Sequence, residues 1–169
     1  MDKNTSKSAL EIKARTWLQD RGVTLDHIAE LVHYLQSKYH DDLSMEECKE
    51  HVDRVLSKRE IQNAILTGIQ LDVLAEQKKL EEPLQQTIET DESLYGVDEV
   101  IAFSIVNVYG SIGFTNYGYI DKQKPGILKK LNDKSSGECH TFLDDIVGAI
   151  AAAASSRLAH SAANDKDID

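Results

Sequence analysis

Residues 146–154, IVGAIAAAA, constrain this chain more than any other segment. A helix that spans a bilayer needs about 18 uninterrupted apolar residues. This run has nine, and it is bounded by Asp144 and Asp145 before it and by Ser155, Ser156 and Arg157 after it. A short apolar segment rich in Ala and Gly fits the interior of a helical bundle, where small side chains let neighbouring helices approach closely. The N-terminal stretch MDKNTSKSALEIKARTWLQDRG has no apolar core of a secretion signal. The expectation is a soluble, cytoplasmic protein with no transmembrane segment, one that meets any lipid from outside the bilayer.

The remaining pattern is helical as well. Ser6 or Ser8 can cap a first helix carrying Leu10, Ala14, Trp17 and Leu18, which Gly22 ends. Thr24 opens a second helix with Ile28, Leu31, Val32 and Leu35 on one face, and the polar residues 40–42 close it. Ser44 and Glu47 have the spacing of a capping box. The apolar stripe after it continues from Met45 to about Leu80 with a break near residues 57–59, and Pro83 marks another break. Only two prolines and 6% aromatic residues disfavour a turn-rich sandwich or barrel. The fold class read from these features is all-α, with no sheet of three or more strands. Length and composition suit one domain over residues 1–169: a helical scaffold over 1–90, a chemistry-bearing region over 91–160 and a frayed polar tail over 161–169.

Charge and cysteines exclude several functions. A net charge of −10 repels phosphate backbones, so nucleic acid is not an expected partner. Two distant cysteines, Cys48 and Cys139, make no disulfide framework. His27, His33, His40 and His51 lack the spacing of a zinc site. Cys139 beside His140 does not read as a nucleophile pair, because adjacent helical residues point about 100° apart. A buried structural cysteine is expected there.

Two acidic doublets precede apolar runs: Asp98-Glu99 and Asp144-Asp145. If a helix already runs through residue 138, then Glu138, Thr141 and Asp145 share one face. A carboxylate beside apolar surface is costly unless a cation or hydrogen bonds compensate it, and Mg²⁺ takes hard oxygen ligands. The competing explanation is that helix N-termini favour carboxylates through the macrodipole. It suits Asp91, Glu92 and Asp98, and suits Asp144 and Asp145 less if a helical turn precedes them. Both readings stand on the residues alone.

Residues 111–126, SIGFTNYGYIDKQKPG, read as a loop dense in glycine and tyrosine, followed by a short basic helix. Gly110, Ser111 and Gly113 could form a backbone nest for a phosphate oxygen, although neither a P-loop nor a dinucleotide fingerprint is present. Lys122, Lys124, Lys129 and Lys130 reverse the sign of charge locally. A phosphorylated ligand and a merely solubilised tight connection explain this stretch equally well.

The blocks YGVDEVIAFSIVNVYGSIGFTNYGYIDKQKPG and GECHTFLDDIVGAIAAAASSRLAH are where a resemblance becomes plain. The chain resembles the soluble, Bacillus-type branch of the phosphatidylglycerophosphatase A family, which includes the low temperature requirement C proteins. Residues 110–113 resemble the family's GTxGS-like loop. Residues 137–148, sharpest at Asp144, Asp145 and Gly148, resemble its G…DE..G signature, with Asp145 in place of Glu. The resemblance implies a multihelical bundle around a central apolar helix. It also implies Mg²⁺-dependent removal of the terminal phosphate of phosphatidylglycerophosphate.

On that footing Asp144 and Asp145 are the expected metal ligands, and Glu138, Asp98 and Glu99 the further ligands or base. Gly110, Ser111, Gly113 and Lys122 or Lys124 are the expected phosphate-binding groups. The expected partners are a phospholipid head group at the inner membrane surface and, through the small residues 149–154, further copies of the chain. The alternative is a non-enzymatic helical module that regulates or oligomerises in a cold or stress response; if the two acidic doublets lie on opposite sides of the molecule, the enzyme reading loses its main support.

Overall fold

The computed structural model describes residues 6–166 and, among them, shows helices and no strand. The all-α expectation is met. Ser8 caps α1 (Ala9–Asp20) by accepting from the Glu11 N–H, and Gly22 at φ +81° turns the chain out of it. Thr24 and His27 cap α2 (Leu25–Gln36) reciprocally, as Ser44 and Glu47 do for α3 (Met45–Leu56). The stripe that continued past Leu56 divides there, and α4 (Arg59–Glu76) follows after two residues. Next come α5 (Leu84–Glu89), α6 (Val97–Val106), α7 (Ile112–Gln123), α8 (Ile127–Leu131) and α9 (Thr141–Lys166).

The last helix is the axis of the molecule. Helices α2, α3, α4, α6 and α7 all pack on it, and every residue from 141 to 156 is buried. A helix with no solvent face must be apolar or small all round, which explains the alanine run. Residues 149–154 are each 0% exposed or fully enclosed within one chain. They are interior packing, so the surface on which oligomerisation was expected lies inside the monomer. The tail expected to fray from residue 161 is helical as far as Lys166, and the remainder of that expectation, residues 167–169, lies outside those described.

Close packing on this axis sets the glycines. A Cβ on Gly68 of α4 would fall well inside contact distance of Ile146 Cδ1 and 3.0 Å from Phe142 Cβ. Gly68→Ala should therefore destabilise the fold by roughly 2 kcal/mol through overpacking, read as a lower urea midpoint. Gly113 plays the same part in α7, where a Cβ would lie 2.8 Å from Val106 Cγ1 and 3.0 Å from Ser156 Oγ. This corrects the reading of residues 111–126 as a loop. Their glycine at 113 serves helix contact, and the turn is made earlier, by Gly110 at φ +92°.

Candidate metal centre

Three helix ends meet at one point. The first turn of α9 supplies Asp144, with Asp145 beside it. The last turn of α7 supplies Asp121, and the first turn of α6 supplies Asp98. Carboxylate oxygens of Asp121, Asp144 and Asp145 lie within 4.8 Å of one another. The carboxyl of Asp98 meets that of Asp145. Asp98, Asp144 and Asp145 are each 8% exposed.

The start of α9 corrects an expectation. The helix begins at Thr141, and the Asp144 N–H bonds the His140 carbonyl at 3.0 Å. Asp144 thus sits in the first turn, where the macrodipole does favour it. Glu138 precedes the helix, so the proposed shared face of Glu138, Thr141 and Asp145 does not exist. The dipole cannot account for Asp121, which stands near the C-terminal end of α7, where a carboxylate is disfavoured.

One cation answers these charges. Lys124 Nζ lies 2.6 Å from Asp121 Oδ1 and 2.6 Å from Asp144 Oδ2. Its backbone is left-handed, φ +47°, a conformation that costs a non-glycine residue about 1–2 kcal/mol. That backbone is held where the ammonium bridges two helices. Burial works to lower the Lys124 pKa, and Asp144 and Asp121 overcome it and raise the pKa. Burial raises the Asp144 carboxyl against the pull of Lys124. The Asp145 carboxyl is driven well above the usual carboxylate range, first by burial and then by Asp98 and Asp144.

At the cluster, two buried oxygens have no hydrogen-bond partner among the described residues: Asp144 Oδ1 and the Tyr117 hydroxyl. Burial and the charges of Asp145 and Asp121 raise the Tyr117 pKa, so it stays a neutral phenol facing the cluster. Four carboxylates against one ammonium, with an orphaned carboxylate oxygen, form a hard-oxygen donor set that lacks positive charge. The residues fit a divalent cation such as Mg²⁺.

A second polar network fixes where α9 begins. Asp72 of α4 accepts from the N–H groups of Phe142 at 3.0 Å and Leu143 at 2.9 Å. Burial pushes its carboxyl up to about 7, against those two bonds. Glu76, one turn on, accepts from the Cys139 N–H at 2.6 Å. It also pairs with Arg21, which donates to the Cys139 carbonyl at 2.8 Å. Thr141 Oγ1 donates to the Ile88 carbonyl at 2.6 Å. Asp72→Ala leaves two buried N–H groups bare and should cost about 2 kcal/mol of stability, measurable by urea unfolding. Asp72, Glu76 and Arg21 belong to the half that reads as plain scaffold. Their sign in the sequence is the i, i+4 pair of acids on an otherwise apolar stripe.

The expected site residues divide by position. Asp98, Asp144, Asp145 and Lys124 come together. Glu99 is exposed on α6, and its charge is felt at Tyr117. Glu138 bonds His140 Nε2 at 2.9 Å and shares with Asp144 the lining of a small cleft that also includes Asp91 and Lys134. Lys122 is exposed on α7. Gly110, Ser111 and Gly113 lie at the opposite end of α7 from Asp121, with Gly113 against Ser156. By helical rise Ser156 is about 18 Å along α9 from Asp144. Asp121 and Tyr117 were not anticipated, although Asp121 and Lys124 stand three residues apart before Pro125, a spacing that places acid and base on one helix face. Cys139 is buried, and burial raises its thiol pKa, as suits a structural cysteine.

Among the described residues no helix is long and apolar enough to cross a membrane. Comparison with known proteins agrees with the geometry. The chain is 74% identical over 162 residues to the uncharacterized protein YutG of Bacillus subtilis (strain 168), covering 96% of this chain and 98% of that one. The crystal structure of low temperature requirement C protein from Listeria monocytogenes superposes with a TM-score of 0.91 at 68% identity, covering 92% of this chain and 98% of that one. A protein of unknown function from Bacillus stearothermophilus superposes with a TM-score of 0.90 at 77% identity, covering 90% and 95%. The profile of Phosphatidylglycerophosphatase A matches residues 16–160, which span all four clustered carboxylates and Lys124, and the chain belongs to that family.

Proposed function

We propose that this protein is a Mg²⁺-dependent phosphomonoester hydrolase that converts phosphatidylglycerophosphate to phosphatidylglycerol, working from the cytoplasmic side on head groups at the membrane surface. The observation that carries this reading is the convergence of Asp98, Asp121, Asp144 and Asp145 around one lysine, with an Asp144 oxygen left unpartnered. A purely structural module would have no reason to bring like charges from three helices to one buried point, where their repulsion costs stability.

Asp144, Asp145 and Asp121 would hold the ion. When bound, such an ion polarises a phosphoryl group and makes water a better nucleophile. The chain's own groups do the rest. Asp98, beside Asp145 and anchored in the first turn of α6, is placed to take a proton from attacking water at its carboxylate. The Lys124 ammonium, held by two carboxylates, offers positive charge to phosphoryl oxygens as negative charge builds on them. Tyr117 has a hydroxyl aimed at the cluster and able to donate a hydrogen bond. The buried network of Asp72, Glu76 and Arg21 fixes the start of α9, and with it the register of both aspartates.

The test is phosphate release from vesicles containing phosphatidylglycerophosphate, with and without Mg²⁺, against soluble phosphomonoesters. Mg²⁺-dependent release from the vesicles supports the proposal. Release confined to soluble esters removes the lipid from it, and no release from any ester removes the catalysis.

A further inference from the structure

Residues 122–134 carry five lysines against one acid, Asp133, in a chain whose net charge is −10. The segment comprises the end of α7, the turn at Pro125-Gly126, α8 and the residues just after it. The carboxylate centre uses only part of this charge. Lys124 is held by Asp121 and Asp144, and Lys134 by Asp91. Lys122, Lys129 and Lys130 are exposed and form no ion pair among the described residues. On α8 the lysines take the outer side because Ile127, Leu128 and Leu131 take the inner one.

Helix α2 extends the same surface. A Cβ on Gly126 would lie 3.4 Å from Leu31 Cδ2, so the turn before α8 rests on α2. One turn on from Leu31, Tyr34 stacks on Tyr119 of α7 with ring centroids 6.2 Å apart. Both tyrosines are exposed, 42% and 44%. Lys38 Nζ stands over the Tyr119 ring, 5.4 Å from its centroid. Lys122 follows Tyr119 by one turn of α7. The exposed acids that adjoin these groups are Glu30, one turn before Tyr34, and Asp133.

We infer that Lys38, Tyr34, Tyr119, Lys122, Lys129 and Lys130 form the surface on which the protein rests on an anionic bilayer. A chain of net charge −10 is repelled by anionic lipid over most of its surface. It approaches best through a face whose sign is reversed, and four unpaired lysines reach the number that holds basic segments on anionic leaflets. Half-exposed tyrosines suit the same place, since their rings favour the apolar side of the interface and their hydroxyls the wet side. An acidic protein is the other partner that such charge would attract. The choice of a bilayer rests on the lipid substrate proposed above. The turn that bears these lysines also bears Asp121 and Lys124, so a protein seated here holds its carboxylate centre beside the head groups.

Vesicle flotation of the full chain tests this. Wild type should float with vesicles containing phosphatidylglycerol and not with pure phosphatidylcholine. It should be released in about 1 M salt, where the Debye length is about 3 Å. Each lysine at an anionic surface is worth about fivefold in binding, so Lys129→Glu with Lys130→Glu should weaken it by more than about 25-fold. Lys13 of α1 and Lys58 at the start of α4 are also exposed. Lys13→Glu with Lys58→Glu changes the net charge equally and should leave vesicle binding intact. Should the reversed pair not fold, Lys129→Gln with Lys130→Gln should still lose about 25-fold. No binding by wild type, equal binding to phosphatidylcholine, or equal losses in the two Glu pairs overturns the inference. Wild type that ignores vesicles and binds polyglutamate assigns the lysines to an acidic protein and also overturns it. Binding is read without turnover, so the two readings fail separately. A protein that floats with phosphatidylglycerol and hydrolyses nothing keeps the surface and loses the reaction. One that hydrolyses phosphatidylglycerophosphate in detergent and floats with no vesicle keeps the reaction and loses the surface.

Discussion

Asp144→Asn or Asp145→Asn should lower kcat/KM for phosphate release by about a hundredfold or more, equivalent to at least ~2.7 kcal/mol of transition-state stabilisation. Each change removes a charge at nearly constant volume, so the fold should persist. Without metal, the variants should melt at the same temperature as wild type or higher, because repulsion among Asp98, Asp121, Asp144 and Asp145 is relieved. Adding Mg²⁺ should raise the melting temperature of wild type and leave that of the variants unchanged. The combination is diagnostic. A carboxylate that merely shaped the fold would lose stability on substitution and show no dependence on the ion. Wild type with no Mg²⁺-dependent thermal shift, together with fully active Asn variants, would remove the metal centre.

The second large effect lies far from that centre in sequence. Arg21→Met should destabilise the protein by about 3–5 kcal/mol, because it strands the Glu76 carboxylate in a site that is only 21% exposed. Burial alone would raise the Glu76 pKa, and the bonds from Arg21 and the Cys139 N–H hold it below the usual range. Removing the guanidinium also frees the Cys139 carbonyl. The double variant Arg21→Met, Glu76→Gln should be distinctly more stable than Arg21→Met alone, since the uncompensated charge is gone. Urea unfolding of the two single variants and the double variant closes the cycle and isolates the pair's coupling. A double variant whose loss equals the sum of the two single losses would mean that Arg21 and Glu76 contribute separately and their pairing adds nothing.

The sequence was most legible where a side chain acts on its own backbone. Ser8, Thr24 and Ser44 announce three helix starts because each caps an N–H three residues on, and Gly22 announces a stop because its φ is positive. The alanine run declared a central helix through its small, uncharged surface. Features that depend on partners distant in the chain were less visible. In sequence Gly113 has the character of a loop glycine, and only the fold, which sets Val106 and Ser156 beside it, makes it a helix-contact residue. The start of α9 is hidden in the sequence because the N–H groups of Phe142 and Leu143 are satisfied by Asp72 of another helix.

The candidate site divides in the same way. The Asp98 and Asp144-Asp145 doublets stand out as carboxylates entering apolar runs. Asp121 does not, because its meaning comes from the approach of α7 to α9. The glycine segment at 110–113 shows the converse: local composition suggested phosphate binding, and the fold places it at the far end of α7 from the carboxylates.

The complete burial of α9 makes it a ruler as well as a core. Inserting or deleting one residue anywhere between 141 and 156 turns everything on one side of the change by about 100° and shifts it by about 1.5 Å along the axis. On a surface helix such a slip can be absorbed by reorienting the exposed stripe. Here there is no exposed stripe, since α2, α3, α4, α6 and α7 all pack on this helix and residues 141–156 are buried throughout. Substitution can vary the bundle's outer helices one residue at a time, while the spacing from Thr141 to Ser156 is a length that the other helices measure together.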